Sequence, residues 1–294
     1  YDHLESPINT DLAPISQRTD SRDLIAPKIG ITFEPWDRGE FRAAYTQTLG
    51  GLFFDNSVRL EPSLVAGFNQ SYRSLIPEGV AGLTPGSRFE TLHASFNQSF
   101  KSGTYFGITG EILESNGDRG IGALTNGTAL PLPDTATTLI QDLSFREESV
   151  SAYAHHLIGN EWAPGIRYRF SHATLSDQFA GLASSLPGVS QLSQRNEATL
   201  QELNLFLWYN HSSGFFGRWE SNWYHQDNAS FTGLRDDRFW QHNLYLGYRF
   251  SGRRAQLQFG LLNLFDQDYR LNPINLHSEL PRARTVSVSA RFNF

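Results

Sequence analysis

Thr285–Phe294 reads TVSVSARFNF. Val286, Val288, Ala290, Phe292 and Phe294 fall on one side of an extended chain. Thr285, Ser287, Ser289, Arg291 and Asn293 fall on the other. Successive side chains of a strand point to opposite faces, so this alternation predicts a strand with one apolar and one polar side.

The same period recurs upstream. Trp240, His242, Leu244, Leu246, Tyr248 and Phe250 alternate with Gln241, Asn243, Tyr245, Gly247 and Arg249. Ile166, Tyr168 and Phe170 alternate with Arg167, Arg169 and Ser171, and Ile29, Ile31 and Phe33 with Lys28, Gly30 and Thr32. Leu203–Tyr209 is less clean, with large apolar groups on both faces. Eleven long strands are expected, at 26–36, 39–50, 86–100, 103–116, 138–158, 161–177, 196–212, 214–228, 237–251, 254–266 and 282–294. No amphipathic helix of three turns is legible, and the chain reads as all-β.

The connections alternate in length. Trp36–Gly39, Lys101–Gly103, Gly159-Asn160, Ser212–Gly214 and Gly252–Arg254 are short and rich in turn formers. The stretches 51–85, 117–137, 178–195, 229–236 and 267–281 are long. In an up-and-down sheet this puts every tight turn at one end and every long loop at the other. That is the layout of an outer-membrane β-barrel.

Composition agrees. The 294 residues include 13% aromatics and 18% charged residues, with mean hydropathy −0.39. No run of some eighteen apolar residues exists, so no helix is expected to span a membrane. A strand, however, shows only alternate residues to lipid, so negative hydropathy is compatible with a membrane barrel. Absence of cysteine excludes disulfides, a CxxC redox site and Cys-bound zinc. A net charge of −6 gives no support to nucleic-acid binding. A soluble sandwich would use shorter strands, and no propeller-period repeat is present. The expected fold is therefore an antiparallel up-and-down transmembrane β-barrel.

Counting strands backwards from Phe294 makes 26–36 a descending strand and 5–25 an outer loop. Tyr1-Asp2-His3-Leu4 then tops an ascending strand, and no leader peptide is visible. At least 12 strands are expected, with residues 1–294 forming the C-terminal portion of the barrel. Loop 51–85 carries Phe53, Phe54, Leu64, Phe68 and Tyr72. It is expected either to fold into or over the lumen or to extend two strands as an external hairpin.

Asn263-Leu264-Phe265-Asp266-Gln267-Asp268-Tyr269 resembles the NLFD-x-x-Y stretch in the penultimate strand of TonB-dependent receptor barrels. Pro281-Arg282 followed by TVSVSARFNF is similar to their last strand, and Ala26-Pro27-Lys28-Ile29-Gly30 to another of their strands. The plug domain and TonB box of that family have no counterpart in these residues. Arg59–Pro62, Ala66–Gln70 and Leu75–Glu78 look like receptor-like barrels fused to tetratricopeptide repeats. The resemblance implies a bacterial outer-membrane location and recognition of Phe292 and Phe294 by the barrel-assembly machinery. It also implies either a TonB-type energy coupler or a periplasmic repeat domain as partner.

Polar-face residues are the candidate lumen lining: Arg42, Glu111, Arg167, Arg169, Arg218, Glu220, Arg249 and Arg291. They are expected either to set a charge preference or to stiffen the wall as ion pairs, each worth little. Aromatics near strand ends (Trp36, Tyr105, Trp162, Phe215, Phe216, Trp219, Tyr248, Phe250, Phe292 and Phe294) are expected to form an interfacial girdle. His155 and His156 point to opposite faces and cannot share a metal from one strand. Asn210-His211-Ser212 has catalytic residue types but no carboxylate expected to orient the histidine. No P-loop, GxSxG or HExxH occurs. The expectation is a transporter or receptor-like channel moving a solute or polymer, with no catalysis, metal or cofactor. The alternative is a non-conducting barrel that anchors a periplasmic or surface assembly.

Overall fold

The computed structural model describes residues 1–7, 19–49, 64–65, 68–69, 87–125, 135–180, 195–228, 236–250, 254–271 and 280–292. Every regular element among them is a strand. The strands are β1 (Asp2–Pro7), β2 (Thr19–Leu24), β3 (Lys28–Trp36), β4 (Gly39–Leu49), β5 (Leu64–Val65), β6 (Phe68–Asn69), β7 (Arg88–Ser99) and β8 (Thr104–Thr125). They continue as β9 (Thr135–His156), β10 (Trp162–Ala180), β11 (Arg195–Asn210), β12 (Phe215–Asp227), β13 (Asp237–Arg249), β14 (Ala255–Leu262) and β15 (Thr285–Phe292).

Eleven of these form one antiparallel sheet in the order β15-β14-β13-β12-β11-β10-β9-β8-β7-β4-β3. Each expected strand has its counterpart. Neighbours in space are neighbours in sequence, apart from the small β5–β6 hairpin inserted between β4 and β7. The sheet is not closed, and β3 and β15 are its edges.

Turn chemistry sets the hairpins. At His211–Gly214 the Gly214 N–H donates to the His211 carbonyl at 3.0 Å, and Gly214 has φ +100°. That combination is a tight turn closed by a left-handed glycine, which matches the twist of the flanking strands. Phe100–Gly103 repeats it, with φ +79° at Gly103.

Two connections differ from expectation. The loop expected at 117–137 is largely a ribbon, since β8 and β9 pair continuously from Thr104↔His156 to Thr125↔Thr135. Gly117, Asp118, Gly120 and Gly122 read as loop formers, yet a two-stranded ribbon tolerates them when each backbone group finds its partner across the ladder. The loop expected at 5–25 contains the β1–β2 hairpin, paired from Asp2↔Leu24 to Pro7↔Thr19. Its end is tied by Asp23, which accepts from the Tyr1 hydroxyl and lies 2.7 Å from His3 Nδ1. The Asp23 carboxylate raises the His3 pKa, and the Tyr1 hydroxyl and then His3 lower that of Asp23. Arg22 binds Asp118 with both carboxylate oxygens, at 2.7 and 2.9 Å. Apart from β5 and β6, the loop 51–85 lies outside the described residues, as do Asn293 and Phe294.

Register aligns the apolar positions across the whole sheet. One row runs Phe41, Phe96, Ile108, Ala152, Tyr168, Leu203, Trp223 and Trp240. Another runs Gly217, Leu246, Phe259 and Val288. These residues are not packed away: Leu246 is 41% exposed, Phe259 45% and Val288 69%. On β13 the stripe extends from Trp240 to Phe250, about 34 Å along the strand at a rise of about 3.4 Å per residue. A tilt of about 40° reduces that to about 26 Å, the height of the apolar band on outer-membrane barrels. Above the band the same face turns ionic. Arg146 bridges Glu114 and Glu148, each at 2.6 Å, and Arg88 pairs with Glu90.

The buried core lies elsewhere. It sits on the opposite face at the long-connection end, where Leu113, Leu143, Phe145, Ala173, Leu175, Ala198, Leu200 and Phe239 cluster with Tyr269 and Leu271. The sequence reading made this face uniformly water-facing. Instead its upper part is apolar, and the segment following β14 packs on it. Phe239 stacks on Tyr224 at 5.2 Å and on Tyr269 at 5.4 Å.

Candidate functional site

At the level of the apolar band, alternation gives the sheet a second, mainly polar face, and the ladder fixes the neighbours there. Arg42 lies opposite Ser95, Ser95 opposite Thr109, Thr109 opposite Ser151 and Ser151 opposite Arg169. Arg42 and Arg169 therefore share one row. Glu111 lies opposite His93 and Ser149, and Arg167 opposite Tyr153 and Asn204. Arg218 lies between Trp208 and Tyr245, Glu220 between Phe206 and Asn243, and Arg249 and Arg291 on either side of Gln256. The eight candidate residues thus stand on the face opposite the apolar band.

Their charges divide into two groups. Arg42 pairs with Glu40 at 3.1 Å, Arg218 with Glu220 at 3.2 Å, and Arg169 with Glu147 at 3.9 Å. His93 lies 3.6 Å from Glu111. The partly exposed Arg42–Glu40 and Arg218–Glu220 pairs contribute at most about 1 kcal/mol each, whereas Glu147 and His93 are buried. Arg167, Arg249 and Arg291, by contrast, have no carboxylate in ion-pair contact among the described residues.

Arg249 is nevertheless held firmly. Its Nη1 donates to Asn210 Oδ1 at 2.7 Å and its Nε to Gln256 Oε1 at 3.3 Å. Its guanidinium covers the Phe216 ring at 4.3 Å, and Phe216 is buried beneath it. Two residues along β12, the Arg218 guanidinium lies 3.9 Å from the Tyr245 ring and 5.7 Å from that of Trp208. Guanidinium planes stacked on ring faces gain cation–π attraction and lose rotamer freedom.

Tyr105 and Phe216 were expected in the interfacial girdle and are not there. Both belong to the polar face, where Tyr105 stacks on His155 at 4.7 Å. Trp162, Phe215, Tyr248 and Phe292 do lie on the apolar face, with Trp162 against Tyr209 at 4.4 Å. The physical reason is parity, since a shift of one residue moves a side chain to the other side of the sheet. Sequence reasoning also missed Trp208, Tyr245, Asn210 and Gln256 as the setting of the arginines. The signal for Trp208 was present in the mixed alternation of Leu203–Tyr209.

Rings on the polar face lie over glycines of adjacent strands: Tyr153 over Gly107, Phe206 over Gly165, Phe216 over Gly247 and Tyr245 over Gly260. A Cβ on Gly247 would meet the Phe216 ring and lie 2.7 Å from the Leu257 carbonyl oxygen, which the ladder holds in place. Gly247→Val is expected to cost about 1–3 kcal/mol through overpacking. Gly217→Ala, whose nearest neighbour is Leu246 at 3.5 Å, is expected to be nearly neutral. Urea unfolding midpoints of the two variants in the same lipid check this, and equal midpoints would refute the flat-ring packing.

The NLFD-x-x-Y stretch is a structural corner. Asn263 is fully buried in the left-handed region at φ +51°. Its Nδ2 donates to the carbonyls of Gln267 at 2.9 Å, Pro281 at 3.1 Å and Arg282 at 3.2 Å. Its Oδ1 accepts from Gln267 N–H at 2.8 Å, and its own N–H donates to Asn243 Oδ1 at 2.9 Å. Asp266 Oδ1 accepts from Arg284 N–H at 2.7 Å, and the Tyr269 hydroxyl donates to the Leu280 carbonyl at 2.7 Å. One short stretch thereby ties the end of β14 to the approach of β15.

Two other expected features resolve as follows. A carboxylate does face His211: Glu161 Oε1 lies 3.9 Å from Nε2, and Ser213 Oγ lies 2.8 Å from Nδ1. A separation of 3.9 Å is beyond hydrogen-bond range. The Ser213 backbone N–H also donates to Nδ1 at 3.2 Å, so the contact belongs to the hairpin turn. Among the described residues no three His, Asp or Glu side chains gather as a metal site would require.

No protein-family model matches the chain, and no curated protein matches it. Among solved structures, it is similar to P. aeruginosa FpvA in a complex with a heterologous pyoverdine and iron, at 11% identity and a TM-score of 0.46. The similarity covers 79% of this chain and 34% of that one, so the chain spans about a third of that protein's length.

Proposed function

We propose that this chain forms eleven strands of a closed bacterial outer-membrane β-barrel whose polar face borders an aqueous lumen. Its role is that of a transporter or receptor-like channel moving a solute or polymer, without catalysis. The observation that carries the reading is the apolar band, continuous over eleven strands, exposed, and about as tall as a bilayer's hydrocarbon layer. Water does not tolerate such a surface, whereas lipid requires it.

Closure follows from direction. In an up-and-down sheet of eleven strands the first and last run the same way. β3 and β15 therefore cannot close on each other by antiparallel pairing, and an odd number of further strands has to stand between them. Both edges carry exposed side chains, among them Ile31 at 59% and Val288 at 69%. In lipid an open edge leaves backbone groups unpaired at several kcal/mol each. Lipid and the barrel-assembly machinery, reading Phe292 and Phe294, are the partners of this interpretation. A TonB-type coupler or a periplasmic repeat domain enters it through the sequence resemblance alone.

The second reading is a non-conducting anchor. The apolar cluster around Tyr269 and Leu271 favours it, because it makes part of the polar face dry at the long-connection end. Conductance across planar bilayers tests both. The full polypeptide is expected to conduct, more strongly once 51–85 is deleted. A barrel that stays silent even after that deletion is an anchor.

A further inference from the structure

We propose that Arg249 and Arg218 form an anion-binding site on the polar face at the short-turn end, taking a phosphate or carboxylate group of a passing solute. This rests on the reading of that face as water-filled, and it names the class of solute. Two like charges stand on neighbouring strands of the polar face, Arg249 at the end of β13 and Arg218 on β12. Arg249 covers the ring of Phe216, and Arg218 stands two residues further along the same strand, against Tyr245. Among the described residues one carboxylate, Glu220, pairs with the two of them. Each is fixed by its surroundings: Asn210, Gln256 and Phe216 hold Arg249, and Trp208, Tyr245 and Glu220 hold Arg218.

The pair stays open to solvent: the Arg218 side chain is 32% exposed and Trp208 44%. The Arg249 contacts use Nε and Nη1 and leave Nη2 available to donate. Preorganised, partly desolvated guanidiniums are strong donors to phosphate and carboxylate oxygens. Arg42 and Arg169, each with its own glutamate, lack the net charge for this role. The two arginines point away from the lipid face, so the expected source is a dissolved anion and not a lipid headgroup.

The test is equilibrium binding of inorganic phosphate to the full polypeptide in a zwitterionic detergent at constant ionic strength. Saturable binding at one site is expected. Arg249→Gln and Arg218→Gln are each expected to weaken it at least tenfold, and Arg167→Gln to leave it unchanged. Glu220→Gln removes the local counter-charge and is expected to tighten binding, a result that misfolding cannot imitate. Absence of saturable binding overturns the proposal, as does equal weakening by Arg167→Gln, weaker binding in a folded Glu220→Gln variant, or displacement of phosphate only by anionic lipid. Conductance of the same preparation separates the two claims. Conduction without phosphate binding removes the site and keeps the channel, while binding without conduction does the reverse.

Discussion

Leu246→Arg is expected to cost about 2–4 kcal/mol of folding stability in phospholipid vesicles, the usual penalty for a cation on the lipid face near mid-bilayer. Leu246 stands near the middle of the apolar stripe of β13, between Gly217 and Phe259, and is 41% exposed. Its loss is not a cavity effect, because few protein atoms surround it; the cost is that of holding a guanidinium in hydrocarbon. The matched control is Gln258→Arg on the opposite face of β14, next to Gly247 and Ser289. That arginine would stand in water, and the change is expected to stay within about 0.5 kcal/mol. Denaturant titration in vesicles of fixed composition measures both. Equal costs for the two, or an intact protein that remains dispersed without detergent, would remove the membrane reading and everything built on it.

Asn263→Ala is expected to cost about 3–5 kcal/mol. The change deletes the amide NH2 that reaches the carbonyls of Gln267, Pro281 and Arg282, together with the acceptor of the Gln267 N–H, all from a fully buried side chain. An unsatisfied buried group costs about 1–3 kcal/mol, and alanine in the left-handed region adds about 1 kcal/mol. Asn263→Gly removes only the backbone penalty, so it is expected to recover about 1 kcal/mol and no more. Unfolding midpoints of the two variants separate side-chain from backbone contributions. A cost below about 1 kcal/mol for alanine would mean that the corner is not what holds β14 to β15.

The strands were legible in the sequence because two simple signals agreed. Alternation at period 2 located each ribbon, and Gly, Asn, Asp and Ser located the hairpins. Trp240–Phe250 and Thr285–Phe292 show both without ambiguity. Where one signal spoke against the other, the reading was wrong. Gly117, Asp118 and Gly120 have the composition of a loop, yet they pair across a ribbon with Leu143, Asp142 and Ile140. The candidate arginines were legible as polar-face residues, since parity alone assigns a face. Their division into paired and unpaired charges was not, because the partners lie on other strands.

What the sequence determined by itself is the all-β class, the order of the eleven strands and, where the alternation is clean, the side on which a residue stands. These follow from local chemistry, namely the pleat of an extended chain and the turn preferences of a few residues. Only the tertiary structure decided that Arg249 lies over Phe216, that rings of one strand cover glycines of the next, and that Tyr269 and Leu271 dry out part of the polar face. Those arrangements depend on register between distant segments and on the space each side chain leaves for its neighbours, and neither quantity is carried by any single stretch of residues.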